Sequence, residues 1–160
     1  MATLQDTTIE NLTVSTDLSG MSTGFSRPNL PIVVASKSNG GSCHTALGPV
    51  PFNNIELING NIIASNSNSR FTVSESGKYY LLFWTIGHDN CGSTGRLHIN
   101  VNGAIRTAQA RTDTSIRYGN CYCYAVVDIQ VGDYVEADQT AGALYFNSSV
   151  YNKFVMYKIF

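Results

Sequence analysis

The sequence predicts an all-β domain, a two-sheet sandwich or jelly roll. No stretch keeps the i, i+3, i+4, i+7 apolar spacing of an amphipathic helix over several turns. Instead, short β-branched and aromatic runs recur about every ten residues between turn signals. Asn, Ser and Thr, which favour turns and strands over helices, are abundant, as in the segment 65–69. Both observations favour strands throughout.

The first half of the chain contains several short predicted strands. The first is Ile32–Ala35, after the turn residues that precede it. Pro49 and Pro51 predict an edge segment, because proline cannot donate to a strand ladder. Two more strands are predicted at 62–64 and 71–73.

The longest apolar run lies at 78–86 and would be apolar on both faces of a strand. Such a strand must be covered on both sides. One cover is the opposing sheet of the sandwich, and a neighbouring subunit is a candidate for the other.

The second half contains the clearest hairpin signal of the chain. The segment 96–101 alternates with period two, Asn102-Gly103 suits the two left-handed residues of a type I′ turn, and 104–110 returns. The remaining predicted strands are 122–129, 134–137 and 154–159.

Length and charge restrict the classes of function. A chain of 160 residues fits one domain. With 13% charged residues and a net charge of −1 it has no electrostatic footprint for nucleic acid, and no segment has the ~20 apolar residues of a membrane span. We therefore expect neither nucleic acid nor a membrane as partner. The first residues lack the pattern of a secretory signal, so synthesis in the host cytoplasm is expected.

Residues 1–28 differ from the rest. Their few apolar residues, such as Ile9, Leu12 and Leu18, are too sparse to build a core. We predict an extended N-terminal arm that anchors the chain to another structure, with plain disorder as the alternative, and a head domain over 29–160.

The four cysteines are too few for a disulfide scaffold in a chain of this length, so buried thiols are expected. Cys121 and Cys123 lie two apart in a predicted strand and share one face, which makes them weak candidates for a metal site. A disulfide among Cys91, Cys121 and Cys123 is an alternative, and so is a bridge between Cys43 and Cys91.

No catalytic, phosphate-binding or dinucleotide-binding fingerprint is present, and His44, His88 and His98 are the only histidines. We predict no catalytic residue, no cofactor and no enzymatic activity. Trp84 is expected in the core because it lies in the most apolar strand, with stacking on a sugar ring as the alternative. Contacts with a partner are expected from the loops 39–45, 88–95 and 113–120.

The order and spacing of several motifs resemble the superfamily of tumour necrosis factor (TNF) and complement globular heads. These motifs are 71–73 with 77–80, Leu97 with 101–103, 131–135, and 154–159. The segment 50–53 followed by 71–77 is most similar to the bacterial branch, such as the head of collagen-like spore-surface glycoproteins.

This resemblance implies a ten-stranded jelly roll that assembles as a homotrimer through aromatic inner sheets. Aromatic residues are enriched at such contacts, and the aromatic residues assigned to the trimer interface are Tyr79, Phe83, Tyr122, Tyr124 and Tyr157.

The arm and the charge-poor composition resemble phage appendage proteins. The predicted function is a non-enzymatic structural or adhesive module of a phage virion surface: a head fibre, decoration protein or fibre tip. Its arm would bind a capsid or appendage protein, and its head a host-surface protein or carbohydrate. The alternatives are a bacterial surface or spore-coat head domain and, third, a small metal-dependent enzyme.

Overall fold

A computed structural model describes residues 30–38, 40, 42–86, 91, 95–111, 119–146 and 148–160. The predicted arm at 1–28 lies outside the described residues. The described residues form thirteen strands and contain no helix long and apolar enough to cross a membrane. The strands are β1 Ile32–Ser36, β2 Ser42–His44, β3 Gly48–Pro49, β4 Asn54–Asn59, β5 Ile63–Ser65, β6 Arg70–Thr72, β7 Gly77–Ile86, β8 Gly95–Val101, β9 Ala104–Arg111, β10 Asn120–Ile129, β11 Tyr134–Gly142, β12 Leu144–Phe146 and β13 Lys153–Lys158.

The strands form two antiparallel sheets. Sheet A has the order β2-β12-β7-β13-β1-β4, with β10 also paired to β7, and sheet B has the order β5-β6-β11-β8-β9, with β3 paired to β11. The all-β sandwich prediction is confirmed, but the prediction of ten strands is wrong. Five of the thirteen strands, β2, β3, β5, β6 and β12, are only two or three residues long.

The core lies between the two inner faces, where alternate residues of each strand point inward. Phe71 of sheet B and Phe154 of sheet A stack with ring centroids 5.3 Å apart, and Phe52 meets both rings. These aromatic side chains are at most 1% exposed. They join the sheets across the sandwich, since burying a ring contributes roughly 1.5–3 kcal/mol.

The predicted hairpin at Asn102-Gly103 is confirmed. Both residues have positive φ, 52° and 75°, as a type I′ turn requires. The Asn102 side chain donates to Asp133 and accepts from the Tyr134 amide, at 2.6 and 3.0 Å. The hairpin is thereby tied to the turn that precedes β11. Hydrogen bonds from the Gln130 amide and from Asn102 hold the pKa of Asp133 below its usual value.

Candidate subunit interface on sheet A

The outer face of sheet A presents apolar side chains across five adjacent strands. Strand register aligns them in rows that run across the sheet. The central row contains Leu57, Val34, Val155, Leu82 and Tyr124. The next row contains Ile32, Tyr157, Tyr80 and Val126. Trp84 and Tyr122 extend the surface at its other side. We call this surface the apolar face.

The β10 side of the apolar face is the most open to solvent. Tyr122, Tyr124 and Val126 are 55%, 58% and 52% exposed. They alternate along β10 with the inward-facing Cys121 and Cys123, as the period of two requires. Exposed aromatic and aliphatic residues in adjacent rows form a continuous patch, whereas isolated exposed apolar residues are common on any protein.

Ion pairs border the apolar face at both ends. Lys153 Nζ lies 2.6 Å from Glu56 Oε2, and Lys78 Nζ lies 3.8 Å from Asp128 Oδ1. The hydrogen bond from Lys153 lowers the pKa of Glu56, so this carboxylate is charged at neutral pH. An apolar centre with a polar border is the usual composition of a protein interface.

A depression with a volume of ≈ 340 Å³ lies at one end of the apolar face. It is lined by Leu82, Trp84, Asn120 and Tyr122. The prediction that Trp84 belongs to the core is wrong. Trp84 is half-buried on the outer face, because its β7 neighbours Phe83 and Thr85 take the inward positions.

Three of the five residues predicted for the trimer interface lie on the apolar face: Tyr122, Tyr124 and Tyr157. Their contact with a partner stays a prediction. The assignment of Tyr79 and Phe83 to the interface is wrong, because both are completely buried between the sheets of a single chain. Tyr79 donates its hydroxyl to the Glu75 carbonyl, and burial, followed by the charge of Glu75, raises its pKa to about 12.

The cysteines divide into two pairs. Cys43 of β2 and Cys91 form a disulfide with Cα atoms 5.3 Å apart. For these two, the expectation of buried thiols is wrong and the alternative of a bridge is confirmed. Cys121 and Cys123 are thiols at most 3% exposed, on the inner face that they were predicted to share.

The core surroundings of Cys121 and Cys123 do not favour a metal ion. Burial, followed by the neighbouring Cys121, raises the pKa of Cys123 to about 12, and metal ligation requires the thiolate. The part of the chain that the structure describes contains no group of three or more His, Cys, Asp or Glu that could hold a metal. Among the other cysteines and histidines, Cys43 and Cys91 are bridged to each other, and His88 lies outside the described residues.

The remaining histidines lie in sheets A and B. His44 packs against Phe146 with ring centroids 5.0 Å apart, and His98 Nε2 lies 3.3 Å from the Thr140 hydroxyl. Burial lowers the pKa of each ring, with smaller contributions from Lys37 at His44 and from Arg96 at His98. Both imidazoles are therefore neutral at pH 7. Most of the loops predicted to bind a partner, 88–95 and 113–120, lie outside the described residues.

Comparison with known proteins identifies the fold. No protein-family model and no curated protein matches the chain. Among solved structures, murine APRIL at pH 5.0 superposes with a TM-score of 0.67 at 18% identity, over 82% of this chain and 100% of that one. Eiger TNF from S. frugiperda gives 0.68 at 12% identity, over 82% and 94%. The globular domain of zebrafish complement 1qA gives 0.65 at 15% identity, over 82% and 98%.

The class defined by this likeness is the jelly roll of TNF-like and complement globular heads. At sequence identities of 12–18%, this structural similarity establishes the fold alone. The jelly-roll fold that the resemblance implied is confirmed, and the closeness to the bacterial branch stays a prediction. The apolar face adds a candidate surface for association.

Proposed function

We propose that the chain is the head of a non-enzymatic homotrimer, assembled through the apolar face. The observation that carries this proposal is the unbroken apolar row across β4, β1, β13, β7 and β10. The central row spans five strands, about 24 Å at the usual strand spacing, and the three rows span about 20 Å along β7 and β10. An exposed apolar patch of that size, bordered by charged residues, is typical of a protein interaction site.

The fold supports an assembly of three copies. The fold is that of TNF-like and complement heads, and the resemblance noted in the sequence associates that superfamily with trimers. Such a trimer uses a contact between the apolar face of one copy and a different surface of the next, and three of these contacts close the ring.

A matched pair of substitutions tests the role of the apolar face. Tyr124 on β10 and Ile105 on β9 are 58% and 57% exposed, but they lie on different sheets. Tyr124→Glu places a charge in the proposed interface and is expected to give monomers by light scattering. Ile105→Glu adds the same charge on the other sheet, outside the apolar face, and should leave the mass unchanged. Equal masses for the two variants would overturn the assignment of this face.

We further propose that the trimer is displayed on the surface of a phage virion, as a head fibre, decoration protein or fibre tip. Two features support an external structural role: the charge-poor composition and the Cys43–Cys91 disulfide. Disulfides persist on virion surfaces and not in a reducing cytosol. The arm at 1–28 would bind a capsid or appendage protein, and the head a host-surface protein or carbohydrate.

Location is tested by labelling with antibodies raised against the head. Labelling of intact virions at capsid or tail would support the proposal. Labelling of a bacterial or spore surface would favour the alternative of a bacterial head domain with the same fold. The third alternative, a metal-dependent enzyme, requires stoichiometric zinc in the purified protein, and a zinc content near zero in metal analysis would remove it.

A further inference from the structure

The outer face of sheet B contains a buried amide and carboxyl pair. Asn100 of β8 and Asp138 of β11 lie on neighbouring strands, and Asn100 Nδ2 donates to Asp138 Oδ2 at 2.5 Å. Asn100 is only 6% exposed, and Asp138 is half-buried. The pair therefore has little access to water.

Each member of the pair has one polar atom whose hydrogen bond is missing. Asn100 Oδ1 and Asp138 Oδ1 are both buried, and neither has a hydrogen-bond partner among the described residues. Leaving a buried acceptor without a donor is unfavourable. Reversing the Asn100 amide does not help, because its oxygen would then face the carboxylate oxygen Oδ2.

One proton resolves both deficits. We propose that Asp138 takes up a proton in the folded head in mildly acidic solution and then donates its hydroxyl hydrogen from Oδ1 to Asn100 Oδ1. Acid and amide then form a closed ring of two hydrogen bonds, in which Asn100 Nδ2 donates to the Asp138 carbonyl oxygen Oδ2. All four polar atoms of the pair are satisfied.

The charges around Asp138 favour the proton. Glu136, on the same strand, is 6% exposed, and its partner is Arg70 of β6, with Nε 2.9 Å from Oε1. The guanidinium of Arg70 is therefore engaged with Glu136. Burial, followed by the charge of Glu136, raises the pKa of Asp138 to about 6, and the Asn100 hydrogen bond only partly opposes this rise.

Among the residues that the structure describes, the other groups near Asp138 supply no compensating cation. His98 lies opposite Asp138 in register, with its ring against Thr140 and its pKa lowered by burial. The β3 residue paired with Asp138 is the uncharged Pro49. Arg96 of β8 and Arg106 of β9 are exposed to solvent.

The pair makes the stability of the head depend on pH in a defined direction. Asp138 has an ordinary value of 3.8 and a folded pKa of about 6, so the folded chain holds its proton more tightly than the unfolded chain. The resulting stabilisation is complete below about pH 4 and is lost as the pH rises through about 6. Acid thus strengthens this part of sheet B.

The direct test is a titration of the intact chain by NMR with labelled Asp and Asn side chains. We expect the Asp138 carboxyl carbon to titrate near pH 6, about two pH units above an ordinary aspartate. The Asn100 side-chain amide signals should move with the same midpoint. Titration of Asp138 near pH 4, or Asn100 signals that do not respond, would overturn the proposal.

A pair of isosteric variants provides a second test. Asp138→Asn places an N–H where the protonated acid has its O–H, so it retains the ring at every pH. When the pH is lowered from 7.5 to 5, the unfolding midpoint of the natural chain should rise because Asp138 takes up its proton. The unfolding midpoint of Asp138→Asn should show no such rise. Asn100→Asp removes the ring donor and should lower the midpoint most at pH 7.5. An identical pH dependence for Asp138→Asn and the natural chain would contradict the proposal.

Discussion

Tyr80 of β7 and Tyr157 of β13 lie directly opposite each other on the apolar face, with ring centroids 5.3 Å apart and ring planes tilted by 37°. Both rings are half-buried in the described chain. Tyrosine at such a position offers an apolar ring to a partner and a hydroxyl that can form a hydrogen bond at its border. The pair therefore marks the part of the face that we expect a second copy to cover.

The first prediction concerns the energetic coupling of these two rings. Replacing Tyr80 and Tyr157 by alanine, singly and together, should reveal a coupling of about 0.5–1.5 kcal/mol, because aromatic pairs contribute that much beyond their buried area. Denaturant unfolding at one fixed protomer concentration measures the cycle, since stability of an oligomer depends on concentration. Strictly additive effects of the two substitutions would contradict the pairing.

The second prediction concerns the Cys43–Cys91 disulfide, whose partners are 48 residues apart in sequence. Replacing both by serine should lower the free energy of unfolding by about 4 kcal/mol, because the unfolded chain is no longer constrained by the closed loop. Chemical denaturation with and without reductant measures the loss. Reductant should lower the free energy of unfolding of the natural chain to that of the variant, and it should not change the free energy of unfolding of the variant. A variant as stable as the natural chain would show that the bridge contributes nothing.

The third prediction concerns the close approach of the C-terminal strand to Gly77. A Cβ at this position would overlap Lys158 Cε and would lie 2.7 Å from the Phe160 carbonyl oxygen. Lys158 is held by an ion pair with Glu75, so it cannot move freely. Gly77→Ala should therefore destabilise the chain by up to about 3 kcal/mol in thermal or denaturant unfolding.

Gly132→Ala is the control for Gly77→Ala. Gly132 has φ +87°, but a methyl group added there would meet no atom within 4 Å, so its substitution costs only backbone strain of about 1–2 kcal/mol. A smaller effect at Gly77 than at Gly132 would be inconsistent with the close packing described.

The fourth prediction concerns Arg70, which pairs with Glu136 and lies over the Tyr134 ring at 3.8 Å. Arg70→Met should cost about 2 kcal/mol of unfolding free energy, because the Glu136 side chain is only 7% exposed and loses a charged hydrogen-bond donor. Arg70→Lys should restore only part of this, since an ammonium lacks the planar stacking of the guanidinium.

The exposed pair at Lys78 and Asp128 is the matched control for Arg70. Its atoms are 3.8 Å apart and its side chains are 38% and 74% exposed. Lys78→Met should change stability by less than about 1 kcal/mol, as for most surface ion pairs. Equal losses of unfolding free energy in Arg70→Met and Lys78→Met would show that the burial of Glu136 does not increase the contribution of its ion pair.

Much of the fold was predictable because local signals agreed with the tertiary structure. The type I′ turn at Asn102-Gly103 and the alternating β8 define a hairpin without long-range information. The apolar residues on both faces of the run at 78–86 correctly predicted β7, a strand that is covered on its inner face and apolar on its outer face. In contrast, β2, β4 and β12 were missed, and the three-residue β2 lies in the segment 39–45 that was predicted to be a loop. β4 has mostly exposed residues and a bulge in its pairing with β1, and β12 is only three residues long.

The interface residues were predicted less well, because composition does not determine which face of a strand points inward. In β7 alternate side chains point inward from Tyr79 onward, and Phe83 is one of them. Both aromatic residues were therefore assigned to the outer face although they lie on the inner face. The alternation of Cys121 and Cys123 with Tyr122 and Tyr124 was the available signal: small thiols inward place the tyrosines outward. The pairing of Cys43 with Cys91 depends on the approach of distant segments, which spacing alone does not reveal.

The central claim is that the described head assembles as a trimer through its own apolar face. The most direct measurement is the solution mass by light scattering at several concentrations, for the full chain and for a chain lacking residues 1–28. The account predicts about three times 17.4 kDa for the full chain and a trimer of correspondingly smaller protomers after truncation. A mass of one protomer for the truncated chain would place assembly in the arm, and a monomer in both cases at every concentration would contradict the account.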